Sequence, residues 1–233
     1  SALAKAVQLQ GDTLAFKRNS EKFTKLSGQE YSALLAAFAP YMDDAVVDIV
    51  KRLNAGTGSV NMNRYYFLVG PSKPHNAESF SHCHIVEVKQ QREAAPIHYF
   101  KALNPVNRLN AAHLTARCQR RMQRRPDLVL DEVKYAGAHY LVRSRHHAKV
   151  GVAPHDIAMG KKAIEKGFNY FAELCGYSLA LAHCRGDRRS TRFSSSAAKT
   201  FESVKTLLVK VANLYAEQVI DDHALFKQHI ENK

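Results

Sequence analysis

The sequence of 233 residues predicts an α+β fold, in which an antiparallel sheet with flanking helices is followed by a helical lobe. Strand-forming residues are concentrated at positions 65–69, 85–89 and 139–142. Beyond residue 160, apolar residues recur at steps of three and four, which is typical of amphipathic helices. The order of these patterns predicts a helical segment over residues 1–44, a sheet-containing lobe over 45–150 and a helical lobe over 151–233.

The helices are predicted from capping and periodicity. Residues 27–30 have the S-x-x-E form of a capping box and precede an apolar helical face that Pro40 closes. Residues 43–53 fit either a helix or a strand, and the strand is expected if the glycine-rich segment that follows binds phosphate. A further helix is predicted over residues 111–125. Two long C-terminal helices are predicted to bury stripes of apolar residues, namely Ile164, Phe168, Phe171, Cys175, Leu179 and Ala182 in one, and Phe201, Val204, Leu208, Val211, Tyr215 and Val219 in the other.

The charge balance predicts an anionic partner. Lysine and arginine total 34 against 21 aspartate and glutamate residues, a formal net charge of +13. Such a surface attracts nucleotides, phosphorylated substrates, nucleic acids or membrane surfaces, and the balance does not choose among them. No apolar run approaches the roughly 20 residues that cross a bilayer, and the N-terminal residues lack a signal-peptide pattern. We therefore expect a cytoplasmic protein with no membrane-spanning segment.

A glycine-rich turn before the first predicted strand is the strongest local signal for a ligand. Gly56, Thr57, Gly58 and Ser59 place two glycines one residue apart. Glycine permits positive φ and lets backbone N–H groups approach a phosphate closely. An ordinary hairpin turn explains the same pattern, so the turn alone does not establish a site.

Several short segments follow one another along the chain: DIVKRLNAGTGS at 48–59, VEVKQ at 86–90, QRRMQ at 119–123, YLVR at 140–143, CGYSLALAH at 175–183, GD at 186–187 and YAEQ at 215–218. Together they resemble a bacterial family of unknown function that is thought to be distantly protein-kinase-like. The resemblance implies a kinase-like fold and an ATP- and Mg²⁺-dependent phosphotransferase. Family members are usually longer, with catalytic-loop and metal-binding motifs in an N-terminal half. This chain resembles their C-terminal portion, so a missing N-terminal half or a partner chain is expected to complete it.

Lys89 is the main candidate for phosphate binding. Protein kinases hold ATP with a glycine-rich loop and a lysine on a nearby strand. Alternation along residues 85–89 puts Ile85, Glu87 and Lys89 on one face of the strand. Glu93 is the predicted acid that orients Lys89, with Glu87 as its rival, while a solvent-exposed lysine is the simpler interpretation.

The resemblance places the catalytic residues at the end of the first long C-terminal helix. His183 and Asp187 stand where a kinase catalytic loop begins, with Asp187 as the acceptor of the substrate proton. The asparagine expected five residues later is replaced by Arg192, and no Asp-Phe-Gly follows. A helix C-terminus closed by a Gly-Asp turn explains the same residues.

Two further patterns involve histidines and arginines. His82 and His84 alternate on a predicted strand, and His146 is followed by His147, but neither pair has a third ligand at zinc spacing, so we predict no metal site. Five arginines (Arg117, Arg120, Arg121, Arg124 and Arg125) form a basic stripe on the 111–125 helix, opposite Leu114, Cys118 and Met122.

The first functional hypothesis is a kinase-like nucleotide-binding protein that is catalytically incomplete in this form. The alternative is a non-enzymatic basic module that binds nucleic acid or another polyanion through this stripe and the 185–192 loop.

Overall fold

The computed structural model describes residues 2–18, 21–54, 58, 60–72, 77–104, 108–145, 156–157 and 160–232. Within these residues the chain has the predicted α+β composition, with antiparallel sheets and helices. It separates into two units, Ser1–Gly176 and Tyr177–Lys233. No helix in the described part of the chain combines the length and the apolar content that a bilayer crossing requires.

The strands are β1 (Val7–Gln10), β2 (Thr13–Phe16), β3 (Phe23–Thr24), β4 (Val46–Arg52), β5 (Arg64–Val69), β6 (His84–Gln91), β7 (Leu130–Tyr135) and β8 (Ala138–Arg145). The helices are α1 (Ala2–Ala6), α2 (Gly28–Phe38), α3 (Ala77–His82), α4 (Ala95–Tyr99), α5 (Ala111–Met122), α6 (Gly160–Ile164), α7 (Gly167–Gly186) and α8 (Arg192–Glu231). Single 3₁₀ turns cover Ala39–Tyr41 and Lys101–Leu103.

The main sheet has six antiparallel strands in the order β3-β4-β5-β6-β8-β7, and β1 and β2 form a separate hairpin. Successive residues of a strand point to opposite faces, so each face of the sheet gathers its own core. On the first face, Phe67 and Val86 pack with Leu34 and Phe38 of α2. The predicted capping residue is present at the start of α2. The Ser27 hydroxyl accepts a hydrogen bond from the Glu30 N–H at 3.1 Å, so the helix begins directly after Ser27.

The second face of the sheet is covered from two sides. The β1–β2 hairpin packs Phe16 and its neighbours over β4, β5 and β6, where Val50, Leu68 and Ile85 are buried. At the other side, Ala116 of α5 packs against Leu130 and Leu141. The strand positions between these two covers carry the charged residues of the site.

The structure resolves one ambiguity of the sequence in this unit and differs from two expectations. Residues 46–52, which fitted either a helix or a strand, form β4, an inner strand of the sheet. The first 44 residues hold the β1–β2 hairpin and β3 as well as helices, so they are not the helical segment that was predicted. Helix α5 buries its small residues Ala112 and Ala116, whereas Cys118 of the predicted apolar face is exposed.

The predicted burial of the two C-terminal stripes is wrong for the described residues. Neither α7 nor α8 contains a buried residue. Phe168 and Leu179 of the first stripe are 45% and 56% exposed, and Leu208 of the second is 53% exposed. Helical periodicity identified the helices correctly but not a covering partner.

Candidate functional site

A charged cluster lies on the second face of the sheet, between the hairpin and α5. We define the Glu87 cluster as Arg64, Glu87, Lys89, Arg143 and Arg145. Strand register brings them together: Arg64 of β5 is opposite Lys89 of β6, and Glu87 is opposite Arg143 of β8. Residues directly opposite each other in antiparallel strands point to the same face, and so do residues two apart. The sheet therefore assembles five residues that are distant in the sequence.

Glu87 is the buried centre of the cluster. Its side chain is 4% exposed and lies between two guanidinium groups. Arg143 donates to Oε2 from Nε at 3.0 Å and from Nη2 at 2.8 Å, and Nη1 of Arg64 lies 3.3 Å from Oε1. Burying a carboxylate this deeply is costly unless it is paired, and the two arginines provide that pairing.

Lys89 is half-buried beside this pair. Burial is the main cause that lowers the pKa of Lys89, and the neighbouring cation Arg64 lowers it further, against the opposing effect of Glu87. No carboxylate of the described residues forms an ion pair with the Lys89 ammonium. A lysine that is partly desolvated and surrounded by cations gains from any anion that binds next to it.

Arg145 completes the cluster at the side of the hairpin. Its guanidinium lies over the ring of Tyr66, 5.2 Å from the centroid, and donates to the Tyr66 hydroxyl. The cluster as a whole has four cationic side chains and one carboxylate. This excess of positive charge on a partly covered sheet face favours an anionic ligand.

The connection that contains the glycine-rich turn ends next to the cluster. Residues 53–63 join β4 to β5, and β5 begins at Arg64, opposite Lys89. The end of the connection is tied to β6, because the Asn63 N–H donates to Oε1 of Gln90 at 3.0 Å and the Gln90 N–H donates to the Asn63 carbonyl at 2.9 Å. Gly58 is exposed. Gly56, Thr57 and Ser59, the other predicted phosphate-binding residues, lie outside the described residues.

The structure does not bring Glu93 to Lys89. Glu93 lies beyond the end of β6 and pairs with Arg108, with the His98 Nδ1 atom 3.8 Å from its carboxylate. The hydrogen bond from Arg108 lowers the pKa of Glu93. Glu87, the rival acid, is the one that shares a strand face with Lys89.

His183 and Asp187 both lie at the junction between α7 and α8, in the second unit. The Asp187 carboxylate accepts the Ser190 hydroxyl at 2.7 Å and the Phe193 N–H at 3.5 Å, and the first of these lowers its pKa. His183 is exposed and packs edge-to-face on the Phe193 ring at 5.9 Å. In this geometry Asp187 organises the turn that starts α8, and its proton-acceptor role stays a prediction.

Asp48 is a buried acid that the sequence reasoning did not single out. Its carboxylate accepts the Phe16 N–H at 2.8 Å, the Ile49 N–H at 2.9 Å and Nη2 of Arg18 at 2.9 Å. Burial raises the pKa of Asp48 despite these hydrogen bonds. The available signal was an aspartate within the apolar run of β4, which implies a buried partner. Asp48 thus fastens the end of β2 to the main sheet.

The basic stripe of α5 is not a uniform solvent face. Arg120 donates to the Leu130 carbonyl and joins α5 to β7, and Arg117 and Arg121 are half-buried. Arg124 and Arg125 are exposed beyond the helix end.

Among the histidines, His84 Nε2 lies 2.9 Å from the Asp43 carboxylate, whereas His146 and His147 are outside the described residues. The described part of the chain contains no group of three side chains suited to a metal ion.

Comparison with known proteins gives one match. No curated protein and no solved structure matches the chain. A family model described as an uncharacterized protein conserved in bacteria, DUF2252, matches residues 1–229. This match starts well before residue 48, where the first of the resembling segments begins. The chain therefore belongs to the DUF2252 family of uncharacterised bacterial proteins.

Proposed function

We propose that the chain is a kinase-like nucleotide-binding protein whose Glu87 cluster holds the phosphates of a nucleotide, with ATP and Mg²⁺ as the ligand. The observation that carries the proposal is the pairing of Arg64 with Lys89, directly after the glycine-rich connection. Protein kinases place a glycine-rich loop over the phosphates and a strand lysine beneath them. Here the loop joins two adjacent antiparallel strands, and the lysine is on the next strand of the sheet.

The charges of the cluster support phosphate as the ligand group. Guanidinium groups bind phosphate oxygens in pairs, and a lysine ammonium adds a compact point charge. Arg64 and Arg143 are held by Glu87, so they are preorganised. Within the described part of the chain Lys89 has no carboxylate partner, so it provides the ammonium that a phosphate would meet.

The proposed protein binds a nucleotide but turns it over slowly or not at all in this form. A kinase orients its lysine with a glutamate from a separate helix, whereas α5 contains no carboxylate and Glu87 is on the same strand as Lys89. Asp187, the proposed proton acceptor, is engaged with Ser190, and Arg192 occupies the position of the metal-binding asparagine. Binding that stabilises the bound nucleotide no less than the transition state of phosphoryl transfer does not accelerate the reaction.

The test is ligand-dependent stabilisation of matched lysine variants. Mg²⁺-ATP or ADP at about 100 times its Kd should stabilise the wild-type fold by about 2.7 kcal/mol. Lys89→Ala should abolish this shift, whereas Lys134→Ala, at an exposed lysine of β7, should preserve it. Equal shifts in the two variants would remove Lys89 from the site.

A nucleic-acid titration distinguishes the alternative function, a polyanion-binding module, from nucleotide binding. If the chain is a polyanion-binding module, an oligonucleotide should bind with a steep salt dependence that Lys89→Ala leaves unchanged. Replacing Arg124 and Arg125 with glutamine should then reduce the log–log slope by about 2. Nucleotide stabilisation that depends on Lys89, with no such oligonucleotide binding, favours the first proposal.

A further inference from the structure

Helix α8 is long and lacks a partner within its own unit. It runs from Arg192 to Glu231, 40 residues, and contains no buried residue. At a rise of 1.5 Å per residue its length is about 60 Å. Apart from Ser194 and Val204, which are half-buried, every residue of the helix is exposed. Most helices in proteins owe their stability to packing of an apolar face, so an uncovered helix of this length calls for a partner.

The apolar residues of α8 form one continuous face. Phe201, Val204, Leu208, Val211, Tyr215, Val219, Phe226 and Ile230 follow one another at a mean step close to 3.6 residues, with Asp222 as the one polar interruption of the row. Leu207, Leu214 and Leu225 widen the same side of the helix. A row that repeats at the helical period keeps to one face along the whole length. Contiguous apolar surface of this extent marks an interaction site.

The charged residues of α8 divide by sign between its two halves. Residues 192–211 carry four cations, Arg192, Lys199, Lys205 and Lys210, and one acid, Glu202. Residues 212–231 carry four acids, Glu217, Asp221, Asp222 and Glu231, and one cation, Lys227. The ion pairs Lys205–Glu202 and Lys227–Glu231 each lie within one half, so they leave a net charge of +3 on the first half and −3 on the second.

We propose that α8 is a self-association surface, on which α8 of a second copy of this chain packs in antiparallel orientation. An antiparallel pair places the basic half of each helix beside the acidic half of the other. A parallel pair would place the two +3 halves side by side, and likewise the two −3 halves. The charge distribution of α8 is therefore complementary to that of a second α8 only in the antiparallel orientation. Two copies paired in this way form the isologous interface of a two-fold dimer.

The apolar row from Phe201 to Ile230 spans 30 residues, so it is about 45 Å long and, at about 10 Å wide, gives a footprint of about 450 Å² per helix. A pair of helices would then bury about 900 Å², near the ~1,000 Å² that a specific interface should reach. The proposal does not depend on nucleotide binding, because no residue of the Glu87 cluster belongs to α8.

Charge exchange tests the proposal in the intact chain by sedimentation equilibrium. Lys205→Glu with Lys210→Glu should weaken dimerisation about tenfold or more, and so should Asp221→Lys with Asp222→Lys. All four changes in one chain reverse the sign of both halves and should recover most of the lost affinity in an antiparallel dimer. Lys161→Glu, at an exposed lysine of α6, is the control and should leave the dimer Kd unchanged.

Spin-label distances test the orientation. After replacement of the native cysteines, a label at Asn213, near the centre of α8, should lie close to its counterpart in the dimer. Labels at Ser195 should lie about 50 Å apart, because an antiparallel pair places the two ends at opposite sides of the complex. Short distances at both positions would indicate a parallel pair and would contradict the proposal.

The remaining outcomes are equally decisive. A chain that stays monomeric at all accessible concentrations would overturn the proposal and assign the face to a different partner or to another part of a longer polypeptide. Dimerisation that survives Leu208→Asp with Val211→Asp would show that another surface pairs the copies. Charge-exchange variants that each weaken the dimer without recovery in the fourfold variant would refute the antiparallel pairing, provided that circular dichroism shows equal helix content.

Discussion

The main sheet and helix α8 carry apolar residues in equally regular patterns, yet only the sheet buries them. Phe67 at the centre of β5 is fully buried under α2, while Leu208 in the apolar row of α8 is 53% exposed. Their charges differ in the same way. Glu87 is neutralised within the sheet by Arg64 and Arg143, whereas α8 keeps opposite net charges on its two halves. The comparison shows that periodicity identifies an apolar face but does not say whether the same chain covers it.

Truncation of one apolar side chain in each region gives the largest expected contrast. Phe67→Ala removes an aromatic ring that packs edge-to-face on Phe38 at 5.8 Å, and should lower the free energy of unfolding by about 3–5 kcal/mol. Leu208→Ala should change it by less than about 0.5 kcal/mol, since alanine is a good helix former and little burial is lost. Urea denaturation at dilutions where the chain is monomeric compares the two. Similar losses would mean that α8 is packed within the monomer.

The sheet was predictable where its signals are local. The strand runs at 65–69, 85–89 and 139–142, the capping box before α2 and the shared face of Glu87 and Lys89 all follow from residues close in sequence. The β1–β2 hairpin was missed because its strands have only four residues each, and the TLAF sequence of β2 does not continue the alternation seen in the VQLQ sequence of β1. Covered inner strands such as β4 read as continuous apolar runs, for which periodicity alone cannot distinguish strand from helix.

Removal of the charge at Glu87 should have the second largest effect. Glu87→Gln retains the shape of the side chain but leaves Arg64 and Arg143 without their carboxylate, and the Arg64 side chain is only 14% exposed. We expect a loss of about 2–4 kcal/mol, reduced from the full cost of a broken buried pair because Arg143 is partly solvated. Glu173→Gln on α7, at an exposed acid, is the control. If both variants unfold at the same urea concentration, the pair contributes nothing to stability.

The candidate site was predictable only in part, because it is made by strand register. Lys89 and Glu87 lie two residues apart, and alternation was sufficient to place them together. Arg64 and Arg143 come from two other strands, and only the pairing of β5 and β8 with β6 shows that they meet Glu87. Glu93 was selected by its closeness in sequence, yet it follows the end of the strand and turns to Arg108. Local sequence distance is a poor guide once the chain leaves a regular element.

The tyrosines of the first core should make stability fall at alkaline pH. Burial, with Tyr140 and Glu30 nearby, raises the pKa of Tyr65, and burial also raises the pKa of Tyr31 and Tyr140. Above about pH 10 the unfolded chain loses tyrosine protons that the folded chain keeps, so the free energy of unfolding falls as the pH rises. Each tyrosine that keeps its proton contributes a slope of about 1.4 kcal/mol per pH unit.

Tyr65→Phe should therefore reduce the loss of stability between about pH 10 and 11 by about 1 kcal/mol, because the unfolded tyrosine is only partly ionised at the start of this interval. The matched control is Tyr177→Phe at an exposed tyrosine of α7, whose slope should equal that of the wild type. Urea denaturation at several pH values provides the measurement. A slope in Tyr65→Phe that equals the wild type would mean that Tyr65 ionises as readily in the folded chain as in the unfolded chain.

The smallest expected contrast concerns the starts of helices α2 and α8. Ser27 caps α2 by accepting the Glu30 N–H, whereas Thr191 at the start of α8 makes no capping hydrogen bond through its side chain. Ser27→Ala should therefore destabilise the fold by about 1 kcal/mol, because it leaves a helix N–H without its acceptor. Thr191→Ala should change stability by less than about 0.3 kcal/mol, since it removes no capping bond. Hydrogen exchange of the first-turn amides of each helix measures the two effects separately. Faster exchange in α8 of Thr191→Ala would show that Thr191 caps this helix in solution, and equal rates in α2 of Ser27→Ala would remove Ser27 from the start of α2.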